Sequence, residues 1–134
     1  MIKVMNKEKV YISARFNKKE EVIELGNLLT NRGYEVVSNW VSHKSIKPYE
    51  KNQDLAKQYS IEDITNSMSC DHFILLTNNA GTGMYVELGA AIGHNTEFGK
   101  PLIYVVGDYI NRSMFYFHPV VNRVENIEDL IARL

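Results

Sequence analysis

Gly81-Thr82-Gly83-Met84-Tyr85-Val86-Glu87-Leu88-Gly89-Ala90-Ala91 is the stretch on which the fold turns. It follows an apolar run, Phe73-Ile74-Leu75-Leu76, that reads as a buried strand. It leads into a segment, Met84 to His94, that reads as a helix. A glycine-rich turn from strand to helix is where an open α/β sheet binds its ligand. This one also sets a carboxylate, Glu87, in the first turn of the helix, close to any bound ligand. A phosphate cradle alone does not need that acid. A site that does chemistry on a sugar has a use for it.

Working outward, the chain alternates strands and helices. Val10-Tyr11-Ile12-Ser13-Ala14 reads as a first strand. Lys18 to Arg32 carries Val22, Ile23, Leu25, Leu28 and Leu29 at helical spacing, and Asn31-Arg32-Gly33 reads as its stop. Tyr34 to Ser38 is a short strand. Asp54 to Ser69 is a second helix, with Leu55, Tyr59, Ile61, Ile64 and Met68 expected inward. Asp71 to Thr77, Leu102 to Val106 and Val120 to Val124 complete the strands, and Asn126 to Leu134 is a last amphipathic helix capped by Asn126. The alternation predicts a five-stranded parallel sheet in a flavodoxin-like, Rossmann-like three-layer sandwich, with residues 1–134 as one domain. Ser13 to Asn17, Ser38 to Trp40 and Asn78 to Glu87 should meet at the carboxyl ends of the strands. Val41 to Gln53, which holds His43, Lys44 and Lys47, is long for a connection and reads either as a lid or as a solvated surface loop.

Composition narrows the class. The 134 residues suit a single core, and 45% hydrophobic with 23% charged residues is ordinary for a soluble globular protein. A net charge of -1 predicts neither a nucleic-acid nor a membrane partner. Cys70 is the single cysteine, which fits a reducing cytoplasm. The stretch from Met1 to Lys7 has no long apolar run behind its charges, so neither a signal peptide nor a membrane span is expected. The four histidines lack metal-ligand spacing, so no metal site is expected.

Several side chains are candidates for chemistry. Glu87 either complements the helix dipole or acts on a ligand; Ala90, Ala91 and His94 share its face, and Gly89 beside them leaves room. Asp63 is either a solvated helix residue or an acid or base near the sheet's carboxyl end. Tyr11 is core or site. Ser13 and the backbone near Arg15 suit a phosphate or hydroxyl, and the guanidinium of Arg15 can bind two oxygens at once. Trp40 is a core plug or a stacking wall for a nucleobase. Cys70 reads as packing rather than as a nucleophile.

With these residues assembled, the chain resembles the nucleoside 2-deoxyribosyltransferase family and its relatives, the nucleotide N-glycoside hydrolases. The resemblance covers nearly the whole chain. Its strongest element is Glu87-Leu88-Gly89-Ala90-Ala91 behind the glycine pair Gly81 and Gly83. Asp63, eight residues before Asp71, matches the family's active-site aspartate spacing, and Tyr11 matches the tyrosine at the end of the first strand. Gly99-Lys100-Pro101 before an apolar strand also recurs. Two features depart from the pattern. Met84, Tyr85 and Val86 intervene between Gly83 and Glu87 where family members often have one residue, which predicts a longer turn. The chain also closes on a plain helix, Ile127 to Leu134, as in smaller relatives of unassigned activity.

The resemblance implies a specific chemistry. Glu87 would attack the anomeric carbon of a 2-deoxyribonucleoside or deoxynucleotide, forming a glycosyl-enzyme. Asp63 would protonate the departing base and activate the acceptor, which is another base or water. Tyr11 would orient Glu87, and Trp40 and Phe16 would wall the base. Ser13, Arg15, Gly81, Thr82, Gly83 and Met84 would bind substrate. So would Asn111 and Ser113, contributed by the neighbouring subunit of a homodimer or higher homo-oligomer. No cofactor or metal is implied. Two other readings stand beside it: an N-glycosidase acting on NAD or a nucleotide signal, and a nucleotide-binding module without turnover.

Overall fold

The computed structural model describes residues 6–134. Met1 to Met5, on which most of the N-terminal targeting expectation falls, lie outside the described residues. Five parallel strands form one sheet in the order β2-β1-β3-β4-β5: β1 is Lys9–Ser13, β2 Glu35–Val36, β3 His72–Leu76, β4 Leu102–Val106 and β5 Val121–Val124. This is the flavodoxin-like order predicted from the alternation. Four α-helices connect and close it: α1 Lys19–Asn31, α2 Gln53–Ser69, α3 Gly83–Phe98 and α4 Ile127–Arg133. Right-handed crossovers from β1 leftward to β2, then rightward to β3 and β4, put α1 on one face and α2 with α3 on the other. The strand order reverses between β1 and β3, so a crevice opens at their carboxyl ends.

The three central strands read as continuous apolar runs because both of their faces are covered. Tyr11, Ile12, Phe73, Ile74, Leu75, Ile103 and Val105 are fully buried. The ring of Tyr11 stacks on that of Phe73, with centroids 5.8 Å apart and planes 5° from parallel. Asp71 locks the amino ends of the strands: its carboxylate accepts from the Lys9 backbone N–H at 2.7 Å and from Lys100 Nζ at 3.2 Å. Among the described residues, no helix is long and apolar enough to cross a membrane.

Several boundaries differ from the sequence reading, each for a local reason. β2 is shorter than Tyr34 to Ser38, because the chain turns into a 3₁₀ helix at Asn39–Ser42 as soon as Val37 has made its ladder bond to the Val10 carbonyl. α3 begins at Gly83 and runs past His94 to Phe98, where Gly99 ends it with φ of 78°. In α2, Ile61 is 59% exposed rather than inward, and Ser67 is the fully buried residue of that helix. Tyr59, which was expected inward, shares its face with Asp63 and Ser67, which recur at every fourth position.

Two glycines test the backbone in opposite directions. Gly89 is exposed in mid-helix with no atom within 4 Å of an added Cβ, so no strand packs closely on it. Gly89→Ala should raise stability by about 0.5–1 kcal/mol. Gly107, just after β4, has φ of 127°, and an added Cβ would lie 2.5 Å from Thr77 Oγ1. Gly107→Ala should cost about 1–3 kcal/mol. Urea unfolding of both variants checks the signs.

Candidate active site

Tyr11 and Ser13 alternate with Ile12 along β1, so both point to the same side of the sheet, toward α3. There they meet Glu87. The Tyr11 hydroxyl donates to one oxygen of the Glu87 carboxylate, and Ser13 Oγ donates to the other at 2.7 Å. Both donors are fully buried. The carboxylate is thereby held at both oxygens, so its rotation is fixed and its lone pairs are aimed. Glu87 itself is half-buried and faces a cavity.

That cavity has a volume of about 720 Å³, within the range of small-molecule sites. Glu87, Val86 and Gly83 of α3 form one side, and Asp63 and Tyr59 of α2 another. Phe16 and Trp40 close it toward the sheet, and residues 43–47 with Tyr49 close it from outside. Trp40 is fixed by its indole N–H, which donates to the Ile12 carbonyl at 2.7 Å. Phe16 leans on it, with centroids 6.4 Å apart. Trp40 is thus both plug and wall. A separate cavity of about 520 Å³, between α1 and α4, contains neither Glu87 nor Asp63.

Burial dominates the electrostatics. It pushes Glu87 up to about 7; the hydroxyls of Tyr11 and Ser13 pull the other way and Asp63 adds to the rise. Asp63 is also raised by burial, with His43 opposing and Glu62 adding. Burial and the facing carboxylates of Glu87 and Asp63 hold Tyr11 protonated, as a donor. Ser67 donates to the Asp63 carbonyl at 2.6 Å, one helical turn away. Two carboxyl groups both raised by burial at one concave, aromatic-walled surface are the pattern of an acid–base or nucleophilic site.

The structure sorts the remaining expected residues. Glu87 lies in the second turn of α3, not the first, because Gly83 is already helical. The three residues between Gly83 and Glu87 are therefore helix and do not lengthen the turn. Ser13 reaches Glu87 instead of standing free to take a phosphate. Arg15 lies outside the cavity lining: its guanidinium reaches Asn78 Oδ1 at 3.5 Å and its stem lies against Gly81. Met84 is buried against Gly81, outside the cavity lining. Gly81 and Thr82 are also outside the lining, and Gly83 alone of that turn reaches it. Asn111 accepts from Arg123, and Ser113 caps the 3₁₀ turn Met114–Phe117; both are outside the cavity within this chain. Tyr59, one turn before Asp63 on the same face, does face inward, and the side chain there lines the cavity, a role the sequence does not reveal. Cys70 is fully buried, and burial raises its thiol to about 12, which keeps it un-ionised.

The fold has a known counterpart. The structure of the Clostridium botulinum CMP N-glycosidase BcmB matches with a TM-score of 0.60 over 94% of this chain and 97% of that one, at 19% sequence identity. The two share an α/β three-layer architecture. No protein-family model matches the chain, and no curated protein matches it.

The raised carboxyl has a cost in stability. The folded protein holds the Glu87 proton more tightly than the unfolded chain does. Its contribution is full below the ordinary value of 4.5 and is lost as pH rises through about 7. Glu87→Gln removes that dependence. In urea titrations the variant should exceed wild type at pH 8 by about 1–2 kcal/mol, allowing for the water that reaches this half-buried group, and the margin should close toward pH 4.5.

Proposed function

We propose that this protein cleaves the N-glycosidic bond of a 2-deoxyribonucleoside or deoxynucleotide, passing the deoxyribosyl group to another base or to water. The observation that carries the reading is a carboxylate held at both oxygens by buried hydroxyls and facing a second carboxyl across an aromatic-walled cavity. The likeness of fold to a CMP N-glycosidase supports it.

In this mechanism a Glu87 oxygen attacks C1′ of the sugar through an oxocarbenium-like transition state. The C1′–N bond breaks, and its electron pair leaves with the base. Asp63, protonated, gives its proton to the base as it departs. Asp63, now ionised, takes a proton from water or from an incoming base. That acceptor attacks C1′ and releases Glu87. Tyr11 and Ser13 orient the nucleophile and donate to its charge, while Phe16 and Trp40 flank the base.

Glu87 attacks only when ionised. Because Asp63 must carry its proton at the same time, kcat/KM should follow a bell-shaped pH dependence set by Glu87, at about 7, and by Asp63, which burial also raises. Glu87→Ala or Glu87→Gln should lower base release from deoxynucleosides and their monophosphates by at least about a thousandfold, read by chromatography. Unchanged turnover in either variant contradicts the mechanism. With free adenine added, exchanged deoxyadenosine formed in place of free deoxyribose distinguishes transfer from hydrolysis.

The working form is proposed to be a homodimer, with Asn111 and Ser113 of each copy reaching the other's cavity. Supporting this, Met114, Phe115 and Phe117 beside them are 77%, 55% and 53% exposed, a patch of apolar surface that association would cover. Replacing Met114 and Phe115 together with Glu should yield monomers by sedimentation and lower kcat/KM at least about tenfold. A monomeric wild type with full activity contradicts the shared site.

A further inference from the structure

The loop between the 3₁₀ helix Asn39–Ser42 and α2 is fixed at three points. His43 stacks on Tyr59 with centroids 3.7 Å apart and planes 6° from parallel. Its Nε2 lies 3.3 Å from a Glu62 oxygen. Asn52 Nδ2 donates to the carbonyls of Ile46 and Pro48 at 3.0 and 3.2 Å. A connection this long would otherwise sample many conformations. Here it stands as a wall of the cavity, and it brings Lys44 and Lys47 into the lining. Neither lysine is in an ion pair among the described residues.

The charges of the cavity are thereby separated. The two carboxyls, Glu87 and Asp63, stand on α3 and α2. The two free ammonium groups stand on the loop, and Arg15, the nearby guanidinium of the β1 end, is turned away to Asn78. A sugar carbon that meets Glu87 would put the departing base beside Asp63, against the wall made by Phe16 and Trp40, with its outer edge toward the loop. Lysine only donates hydrogen bonds. A wall of donors suits the O4 of uracil and thymine or the O6 of hypoxanthine and guanine, and opposes the 4-amino group of cytosine and the 6-amino group of adenine. It also stabilises the negative charge that an oxo base gathers on its oxygens as the C1′–N bond breaks.

We infer that Lys44 and Lys47, held on a pinned loop, read the outer edge of the base and select oxo bases over amino bases. This rests on the N-glycosidase reading above, and the experiment separates the two. Rates of base release are measured for four deoxynucleoside monophosphates, those of uracil, cytosine, hypoxanthine and adenine, with wild type and with Lys44→Met/Lys47→Met. In parallel, binding of the free bases is followed by quenching of Trp40, the single tryptophan, which needs no turnover. Wild type should favour uracil over cytosine and hypoxanthine over adenine by roughly tenfold in kcat/KM, and the double variant should bring both ratios close to one. The same contrast should appear in the quenching affinities. Equal handling of oxo and amino bases by wild type, a preference for amino bases, or ratios unmoved in the double variant overturns the inference. Absence of base release from all four substrates defeats the N-glycosidase reading instead, and the quenching ratios then decide the base-edge inference on their own. Far-ultraviolet circular dichroism of the double variant establishes that the exposed substitutions leave the fold intact.

Discussion

The clasp of β1 on α3 is the constraint around which the site is organised. Tyr11 and Ser13 are two residues apart on a strand buried from Val10 to Ser13, so one backbone direction aims both hydroxyls at a single carboxylate. The tyrosine ring is itself fixed against Phe73 in the next strand. Any shift of β1 against β3 would therefore move both donors away from Glu87 together. The core of the sheet and the geometry of the site are one packing problem, with no flexible segment between them. Burial lifts Glu87 to about 7, and the two hydroxyls limit that rise. A carboxylate in such a setting is poorly solvated and well aimed, which is what a nucleophile requires.

The fold was legible in the sequence because its signals are local. Apolar runs with turn residues between them marked β1, β3 and β4, and the alternation with helical periods dictated a parallel sheet. Asn126 capping α4 and Gly33 ending α1 are also readable without a structure. The edges were less legible. β2 has few ladder partners, so its end depends on where Trp40 finds the Ile12 carbonyl, a contact between residues far apart in sequence. The inner face of α2 was misread at Ile61 because that helix borders a cavity and packs on α3, so apolar spacing no longer reports its inward side.

The candidate site was partly legible for the same reasons. Glu87, Asp63 and Tyr11 stand out by residue type beside a glycine turn, and Phe16 and Trp40 do line the cavity beside them. The role of Ser13 as a second donor to Glu87 depends on strand register against α3, which sequence does not fix. Met84 stands in the core because α3 already starts at Gly83, and Arg15 stands outside the cavity lining, within reach of Asn78. Tyr59 and the loop lysines enter only through the His43 stack that pins the loop on α2. Contacts of this kind join segments with no shared local pattern, and they are where function departs from fold.

The central claim is that Glu87 is the group that takes the sugar. Mass spectrometry of enzyme quenched during turnover of a deoxynucleotide, followed by peptide mapping, tests it directly. An added deoxyribosyl mass is expected on the peptide that carries Glu87, absent from Glu87→Gln and lost on longer incubation. Steady base release with no adduct, or with the adduct on another residue, would contradict it.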